Sequence, residues 1–321
     1  MIKRKMSLSL LSLSLIGIIF FGFLSTAVSA STIYQLGLRK STDEYTVIQY
    51  DDDGWKATIN PASNPKEYFE GDANVTGAKS KQTIRGWVDQ TYTTYDALLS
   101  LYFAIFEYIA WNIFQGNLTA AGYNETTINA NYTNTYDAWY GLSAEWWFTD
   151  GEFEETPNNI LSPIIIMKDP SDFNSILDDC NAIIEDILND PTIDINLKFL
   201  LSNKTADEFL WQLSFKGLAI AEPHGNYLEF LVNELECENA SVSGSTLIIE
   251  RYGLTNYTVE ISYGEKGMMS SFTVKDISGT IIYQITSSNS EWLFYLILTI
   301  VAASAVAIVT FLIIRKKRLH R

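Results

Sequence analysis

The side chains that most often carry catalysis are scarce in this sequence, with the exception of carboxylates. The 321 residues contain two histidines and two cysteines against 38 aspartates and glutamates. No HExxH, GxSxG, GxxxxGK(S/T) or GxGxxG motif is present, so nothing indicates a zinc hydrolase, a serine hydrolase or a nucleotide site. His224 lies in the segment Pro223-His224-Gly225-Asn226, which is typical of an exposed turn. We therefore predict a non-catalytic protein that uses no cofactor and no metal ion.

Aromatic residues stand next to carboxylates in one segment, a combination that can bind or cleave sugars. Trp139, Trp146 and Trp147 precede the acidic stretch Asp150–Glu155. Indole rings beside a pair of carboxylates would suit a carboxylate-pair glycan hydrolase. The same pattern is typical of buried aromatics followed by a solvated turn. A carboxyl group with a raised pKa beside a second carboxyl in a cleft would favour the hydrolase.

Three consecutive aspartates form a second acidic group. Asp51–Asp53 and Gly54 separate two strand-like runs, Tyr45–Tyr50 and Trp55–Ile59, which predicts a β-hairpin with an acidic turn. The aspartates also resemble part of a calcium loop, but the alternating ligand spacing and the closing glutamate are missing. We therefore predict the hairpin and no calcium site.

The two ends of the chain predict an exported protein with one membrane span. Residues 1–30 have a basic start, an apolar run and small residues at Val28 and Ala30, as in a secretory signal peptide; an uncleaved anchor is the alternative. Residues 293–314 carry no charge and would form a helix of roughly 33 Å, enough to cross a bilayer. The stop-transfer residues that follow are Arg315, Lys316, Lys317 and Arg318. By the positive-inside rule, the tail 315–321 is cytoplasmic and residues 31–290 lie outside the cell.

The exported part is acidic and rich in glycosylation signals. The formal net charge is −16, and every acidic residue lies between Asp43 and Glu291. This excludes nucleic acid as a partner, because binding to phosphates needs clustered lysine and arginine. Seven Asn-x-Ser/Thr sequons predict a glycoprotein. They begin at Asn74, Asn117, Asn124, Asn131, Asn203, Asn239 and Asn256.

The two cysteines, Cys180 and Cys237, both belong to the exported part. An even number of cysteines in an oxidising compartment permits one disulfide, and two separate buried thiols are equally compatible with the sequence. Cys180 falls on the apolar stripe of a predicted helix, which makes it structural rather than reactive. Spacing alone does not decide between the two arrangements.

Two segments predict the main helices. Residues 97–114 are apolar almost all round, with Glu107 as their one charge. A second span here would move later sequons into the cytosol, so we predict a helix buried in the exported part, with a pair of strands as the alternative. Residues 172–188, which follow the short buried strand Pro163–Met167, repeat apolar side chains at spacings of three and four and predict an amphipathic helix. Residues 205–212 predict a further helical turn.

The C-terminal half of the exported part predicts an antiparallel sheet. From about Phe209, strand-like runs alternate with turn signals, and within Tyr257–Tyr263 apolar and polar residues alternate strictly. Residues 117–140, rich in Asn, Thr and Tyr, predict a surface loop or an edge region. We therefore predict an α+β fold with a mixed part at 31–162 and a part at 163–290 that ends in an antiparallel β-meander.

The layout as a whole resembles that of uncharacterised single-pass cell-surface proteins of archaea. The similar features are the signal peptide, the acidic sequon-rich exterior, the C-terminal span and its basic stop. The stretch YTVEISYGEKGMMSSFTVKDISGTIIYQI also resembles their recurrent terminal hairpins. The resemblance implies a membrane-anchored exterior protein and carries no catalytic residue. A sheet with an apolar helix also resembles envelope lipid carriers, in architecture alone.

These features predict a membrane-anchored surface protein with a binding or envelope-scaffolding role. Its expected partners are the lipid bilayer and a protein, glycan or lipid ligand. The alternative is a carrier of an apolar ligand, with residues 97–114 lining a cavity over the C-terminal sheet. A filled core predicts no void there, whereas an open apolar pocket favours the carrier.

Overall fold

The structure, a computed structural model, describes most of the chain between Ile33 and Ser288. The described residues are 33–67, 69, 72–103, 115–149, 152–155, 162–193, 198, 201–215 and 217–288. Contacts divide the chain into a unit of residues 1–34 and a unit Gln35–Arg321, and every element below belongs to the second unit. The predicted signal peptide (1–30), span (293–314) and tail (315–321) lie outside the described residues. Among the residues that are described, no helix is both long enough and apolar enough to cross a membrane.

An antiparallel sheet is the framework of the described chain. Its strands are β1 (Ser41–Tyr50), β2 (Lys79–Thr93), β3 (Thr135–Thr149), β4 (Glu152–Glu155), β5 (Ser162–Met167), β6 (Ala240–Ser243), β7 (Thr246–Tyr252), β8 (Asn256–Tyr263), β9 (Met269–Asp276) and β10 (Ile281–Ser288). Their order is β4-β3-β2-β1-β10-β9-β8-β7-β6, and β5 pairs with β3 beyond the end of β4. Because β1 pairs with β10, the sheet runs across the boundary between 31–162 and 163–290. Together with the helices below, this sheet confirms the α+β class.

The strands β7 to β10 form the antiparallel meander that the sequence alternation predicts. In β8, Val259, Ile261 and Tyr263 are buried, whereas the residues between them are only partly covered. The β8–β9 turn depends on Gly267, which has a φ of +72° and accepts a hydrogen bond from Ile220 N at 2.9 Å. A Cβ at this position would overlap the Ile220 carbonyl oxygen, so the turn requires glycine.

Helices make up the other layer. They are α1 (Asp52–Thr58), α2 (Thr94–Ala97), α3 (Glu125–Asn131), α4 (Asp172–Asn189), α5 (Ala206–Phe215) and α6 (His224–Glu234), with a π-helix at Leu98–Tyr102 and a 3-10 turn at Pro65–Glu67. The amphipathic helix predicted at 172–188 is confirmed as α4, whose apolar stripe is buried from Phe173 to Ile187. Helix α4 contacts α2, the π-helix, α5 and α6, which places it at the centre of the helical layer.

The predicted hairpin after β1 is wrong, because the second run is helix α1. The Asp51 carboxylate accepts a hydrogen bond from Gly54 N at 3.0 Å and caps the helix, and Lys56 pairs with Asp52 at 2.6 Å one turn apart. Helix capping therefore outweighs the turn signal. At the other end of α1, Leu254 N donates to the free Thr58 carbonyl at 2.9 Å.

The strand assignment between residues 209 and 235 is also wrong. These residues form α5 and α6, whose buried positions recur with helical spacing, as in Tyr227, Leu228, Leu231 and Val232. The predicted helical turn at 205–212 is confirmed as part of α5.

The predicted surface loop at 117–140 and the predicted helix at 97–114 have different outcomes. Residues 115–120 are helical, α3 follows with Asn124 as its N-cap, and residues from Thr135 onward belong to β3, so the loop prediction is wrong.

The segment from Ala97 starts as helix and continues as the π-helix, and Ala97, Leu98 and Leu101 are buried. Residues 104–114 lie outside the described part.

Candidate functional site

A cleft of about 500 Å³ lies between the sheet and the helices, and it is the strongest candidate site. Strands β1, β2, β5, β9 and β10 form one wall, and the π-helix, α4 and α5 form the other. Small-molecule sites usually measure about 300–1,000 Å³, so the cleft has the size of a ligand site. Its lining residues are Tyr45, Val47, Phe69, Asp72, Ala73, Ala78, Lys79, Ser80, Lys81, Gln82, Ser100, Leu101, Pro163, Ile164, Ile165, Phe173, Leu213, Phe215, Gly217, Leu218, Met268, Met269 and Ile285.

The helical wall contains irregular backbone. In the π-helix, Phe103 N donates to Leu98 O at 3.0 Å, and Ser100 and Leu101 from this turn line the cleft. The buried Gln212 side chain donates from Nε2 to Leu101 O at 2.8 Å and also to Tyr102 O. Wide turns of this kind are rare and often occur at functional sites. Gln212 therefore connects α5 to the carbonyls of the last two residues of the π-helix.

Tyr102 fixes the same wall to α4 and to the residues before α5. Its hydroxyl donates to Asn181 Oδ1 at 2.6 Å and accepts a hydrogen bond from Lys204 N at 3.2 Å. The Lys204 ammonium lies 4.9 Å from the centroid of the Tyr102 ring. Burial raises the pKa of Tyr102, so the phenol stays neutral and remains a donor.

Neutral and charged polar side chains meet where the cleft borders β1 and β2. The buried Tyr45 donates from its hydroxyl to Met269 O at 3.0 Å. Ser80 stands opposite Tyr45 in the β1–β2 register, and Gln82 stands opposite the buried Asp43, which pairs with Lys266 at 2.7 Å. Lys79 and Lys81, which alternate with Ser80 and Gln82 along β2, also border the cleft.

An aromatic cluster continues the cleft at one end. The Phe69 ring centroid lies 6.0 Å from that of Phe215, 5.1 Å from that of Phe272 and 5.8 Å from that of Tyr283. Tyr283 also packs on Trp55, with ring centroids 5.6 Å apart. Rings at these separations are mutually attractive, so this end of the cleft has a well-packed apolar floor.

The described residues that line the cleft are mostly apolar or neutral. They include one carboxylate, Asp72, which is held by Lys66 at 2.9 Å, and neither histidine nor cysteine. Among the residues that the structure describes, no three or more His, Cys, Asp or Glu side chains converge as a metal site. The arrangement can bind an apolar molecule and orient it through a few neutral polar groups.

The tryptophans expected near a sugar site lie elsewhere. Trp139, Trp146 and Trp147 belong to β3, and the Lys168 ammonium lies 5.5 Å from the centroid of the Trp139 ring. The solvated turn predicted after them is instead strand β4 in part, with Glu155 opposite Trp146. Trp139 does not line the cleft.

A carboxyl group with a raised pKa is present close to β3. Burial, with smaller contributions from Asp169 and Asp137, raises the pKa of Asp172 to about 6. This is the kind of carboxyl that the hydrolase alternative requires. Asp172 does not line the cleft, however, so the raised group and the ligand-sized space are at different places.

The other candidate chemical groups have structural roles. His224 is the first residue of α6 instead of a turn residue, and burial lowers its pKa, so the ring is neutral. Its Nε2 has no hydrogen-bond partner in the described part of the chain. Asp51 and Asp52 are engaged as the cap and first-turn ion pair of α1.

Cys180 and Cys237 are separate free thiols, so the arrangement found is the one without a disulfide. Cys180 is buried on α4, and burial raises its pKa. Burial and the nearby Asp207 raise the pKa of Cys237 to about 12. Both groups are therefore protonated near neutral pH and poor nucleophiles.

The seven sequons differ in how accessible their amides are. Asn124 accepts the Thr127 N–H as a helix cap, and Asn239 donates from Nδ2 to Asp207 at 2.8 Å. The Asn74 Oδ1 atom is buried without a partner among the described residues. The exposed sequon residues whose side chains make none of these contacts are Asn117, Asn131, Asn203 and Asn256. Because a glycan attaches to Nδ2, these four are the best-placed acceptors.

Most of the cleft was not foreseen from the sequence. Two predicted segments contribute to it, since Ser100 and Leu101 of the apolar segment 97–114 and Pro163–Ile165 of the predicted buried strand line the cleft. Strand β2 and the aromatic floor had no recognisable pattern. No protein-family model, no curated protein and no solved structure matches the chain. The function is therefore inferred from the cleft.

Proposed function

We propose that this protein is a non-catalytic binding protein that holds an elongated apolar ligand in the cleft. In this proposal, residues 293–314 anchor the chain in the cell membrane and the described part lies outside. The acidic composition and the four exposed sequons, Asn117, Asn131, Asn203 and Asn256, support the exterior location. The stop-transfer residues Arg315–Arg318 support the orientation.

The single observation that carries the proposal is the unfilled space next to Ser100 and Leu101. The cleft is partly open to solvent, and its volume of about 500 Å³ falls within the size range of small-molecule sites. The side chains around it, such as Val47, Ile164 and Leu213, are buried and apolar. Removing apolar surface from water contributes about 25 cal/mol per Å², which favours an apolar occupant.

Ser100 allows a direct test because it is exposed and stands at the cleft wall. The full-length protein in phosphatidylcholine nanodiscs is incubated with a diazirine-bearing fatty acid, irradiated and mapped by mass spectrometry. We expect cross-links in the segments Lys79–Gln82 and Ser100–Leu101. Ser100→Trp should block the cleft and reduce these cross-links several-fold, because the indole occupies the space of the ligand.

The matched control is Ser175→Trp, which places the same side chain on the exposed face of α4, away from the cleft. This variant should retain the wild-type cross-links. Absence of cross-links from the cleft segments in wild type, or equal labelling of the Ser100→Trp and Ser175→Trp variants, would overturn the proposed function.

A further inference from the structure

The last strand leads directly from the cleft toward the predicted anchor. Ile285 in β10 lines the cleft, and the strand ends three residues later at Ser288. Ser287 and Ser288 pair with Tyr45 and Glu44, and Tyr45 also lines the cleft. Ser288 is therefore about 10 Å along the strand from the cleft wall, at 3.3 Å per residue.

The chain between the strand and the anchor is short. Leu293 is five residues after Ser288, a segment that reaches at most about 18 Å when fully extended. The hydrocarbon core of a bilayer is about 30 Å thick, so the whole path from cleft wall to anchor is about as long as a bilayer is thick. The cleft is thus held beside the membrane whatever its rotation.

Apolar molecules concentrate in the bilayer, because water excludes them. A cleft tethered at this distance samples the lipid phase at a high effective concentration, which falls as the tether lengthens. Ser80 and Ser100 add neutral hydrogen-bonding groups to the cleft, and Lys79 and Lys81 add cationic ones, which suit the polar part of a lipid better than a pure hydrocarbon.

We propose that the cleft takes its ligand directly from the bilayer in which the chain is anchored, and that this ligand is a membrane lipid. This inference rests on the proposed function and identifies the class and source of the ligand. A membrane lipid would enter with an acyl or isoprenoid chain between the sheet and α5. The adaptable side chains of Met268 and Met269 border the same space.

The test compares two probes on full-length protein in phosphatidylcholine vesicles. One is a diazirine-bearing phosphatidylcholine built into the vesicles, and the other is a diazirine-bearing fatty acid delivered on cyclodextrin. A long Gly/Ser spacer is inserted after Ser288 in one variant. As a control, the same spacer is inserted at Gly279, in an exposed turn where no atom lies within 4 Å of a built Cβ.

We expect the spacer after Ser288 to reduce cleft cross-links from the vesicle lipid several-fold and to leave the cyclodextrin-delivered probe unchanged. The Gly279 insertion should leave both unchanged. If only the cyclodextrin-delivered probe labels the cleft, or if the lipid signal is insensitive to the spacer, the bilayer source is wrong and the proposed function stands. If neither probe labels the wild-type cleft, the proposed function fails as well.

Discussion

The meander β7–β10 and the strands β1–β3 share one sheet but are assembled differently. In the meander, each strand pairs with the next one in sequence across a short turn. Strand β1 instead pairs with β10 from the far end of the chain, and long connections separate β1, β2 and β3. The cleft borders the junction of β1 and β10, where strands from distant parts of the chain meet, and a residue of β9 lines it as well.

The largest expected effect comes from the meander itself. Gly267→Ala should destabilise the protein by about 3 kcal/mol, because the new Cβ combines a left-handed φ with overlap on the Ile220 carbonyl. Gly244 has a similar φ of +61°, but a Cβ there would meet open space. Gly244→Ala should therefore lower the stability by only about 1 kcal/mol. Chemical denaturation of both variants measures the difference. Equal losses would show that the contact with Ile220 contributes nothing.

A smaller loss is expected where the cleft wall is held. Gln212→Leu removes two buried hydrogen bonds, to the Leu101 and Tyr102 carbonyls, and should cost about 2 kcal/mol. Gln49→Leu removes a comparable bond to Ile281 O at an exposed site and should change stability by less than about 0.5 kcal/mol. The same denaturation assay compares them. A Gln212→Leu variant as stable as Gln49→Leu would contradict the role of Gln212 in fixing the π-helix.

The same contrast explains which elements could be predicted from the sequence. The strands β7 to β10 and helix α4 carry strict periodicities of two and 3.6, because each has one buried face. The residues of α5 and α6 are apolar at many positions, and their short runs suit either a strand or a helix until the packing partner is known. Asp51 is a second example, because an acidic run before an apolar segment is compatible with both a turn and a helix cap.

Most of the cleft wall could not be predicted from the sequence, for a related reason. Its walls combine residues from distant segments, such as Tyr45, Ser80, Leu213 and Ile285, none of which is unusual in its own segment. A cleft also depends on how side chains from separate segments pack together, which amino-acid composition does not specify. The carrier alternative placed residues 97–114 at a cavity over the C-terminal sheet, and the structure places Ser100 and Leu101 at a cleft whose sheet wall also includes β1, β2 and β5.

Asp172, at the start of α4, gives a test that depends on pH. Its folded pKa of about 6 exceeds its ordinary value of 3.8, so the protonated form stabilises the fold below pH 4 and this contribution is lost as the pH rises through about 6. Asp172→Asn should flatten this part of the pH–stability profile and stabilise the protein by about 1 kcal/mol at neutral pH, allowing for solvent screening of a half-exposed group.

Thermal unfolding between pH 4 and pH 8 measures the Asp172 effect. Asp178→Asn removes the same charge from the exposed face of α4, and the difference between the two variants isolates the effect of burial. A gain at neutral pH that is no larger for Asp172→Asn than for Asp178→Asn would count against a raised pKa at this site.

The smallest effect is expected from reduction of the two cysteines, which lie on α4 and just after α6. Since Cys180 and Cys237 are free thiols, a reductant should leave the midpoint of thermal unfolding unchanged. In a chain with one disulfide, breaking the bridge would instead cost about 2–4 kcal/mol. Thiol titration should find two groups per unfolded chain, and both should react slowly in the folded protein because burial raises their pKa values. The opposite result would be a lower unfolding midpoint in reductant and no thiol that titrates before reduction. It would mean that a disulfide between Cys180 and Cys237 joins α4 to the segment after α6.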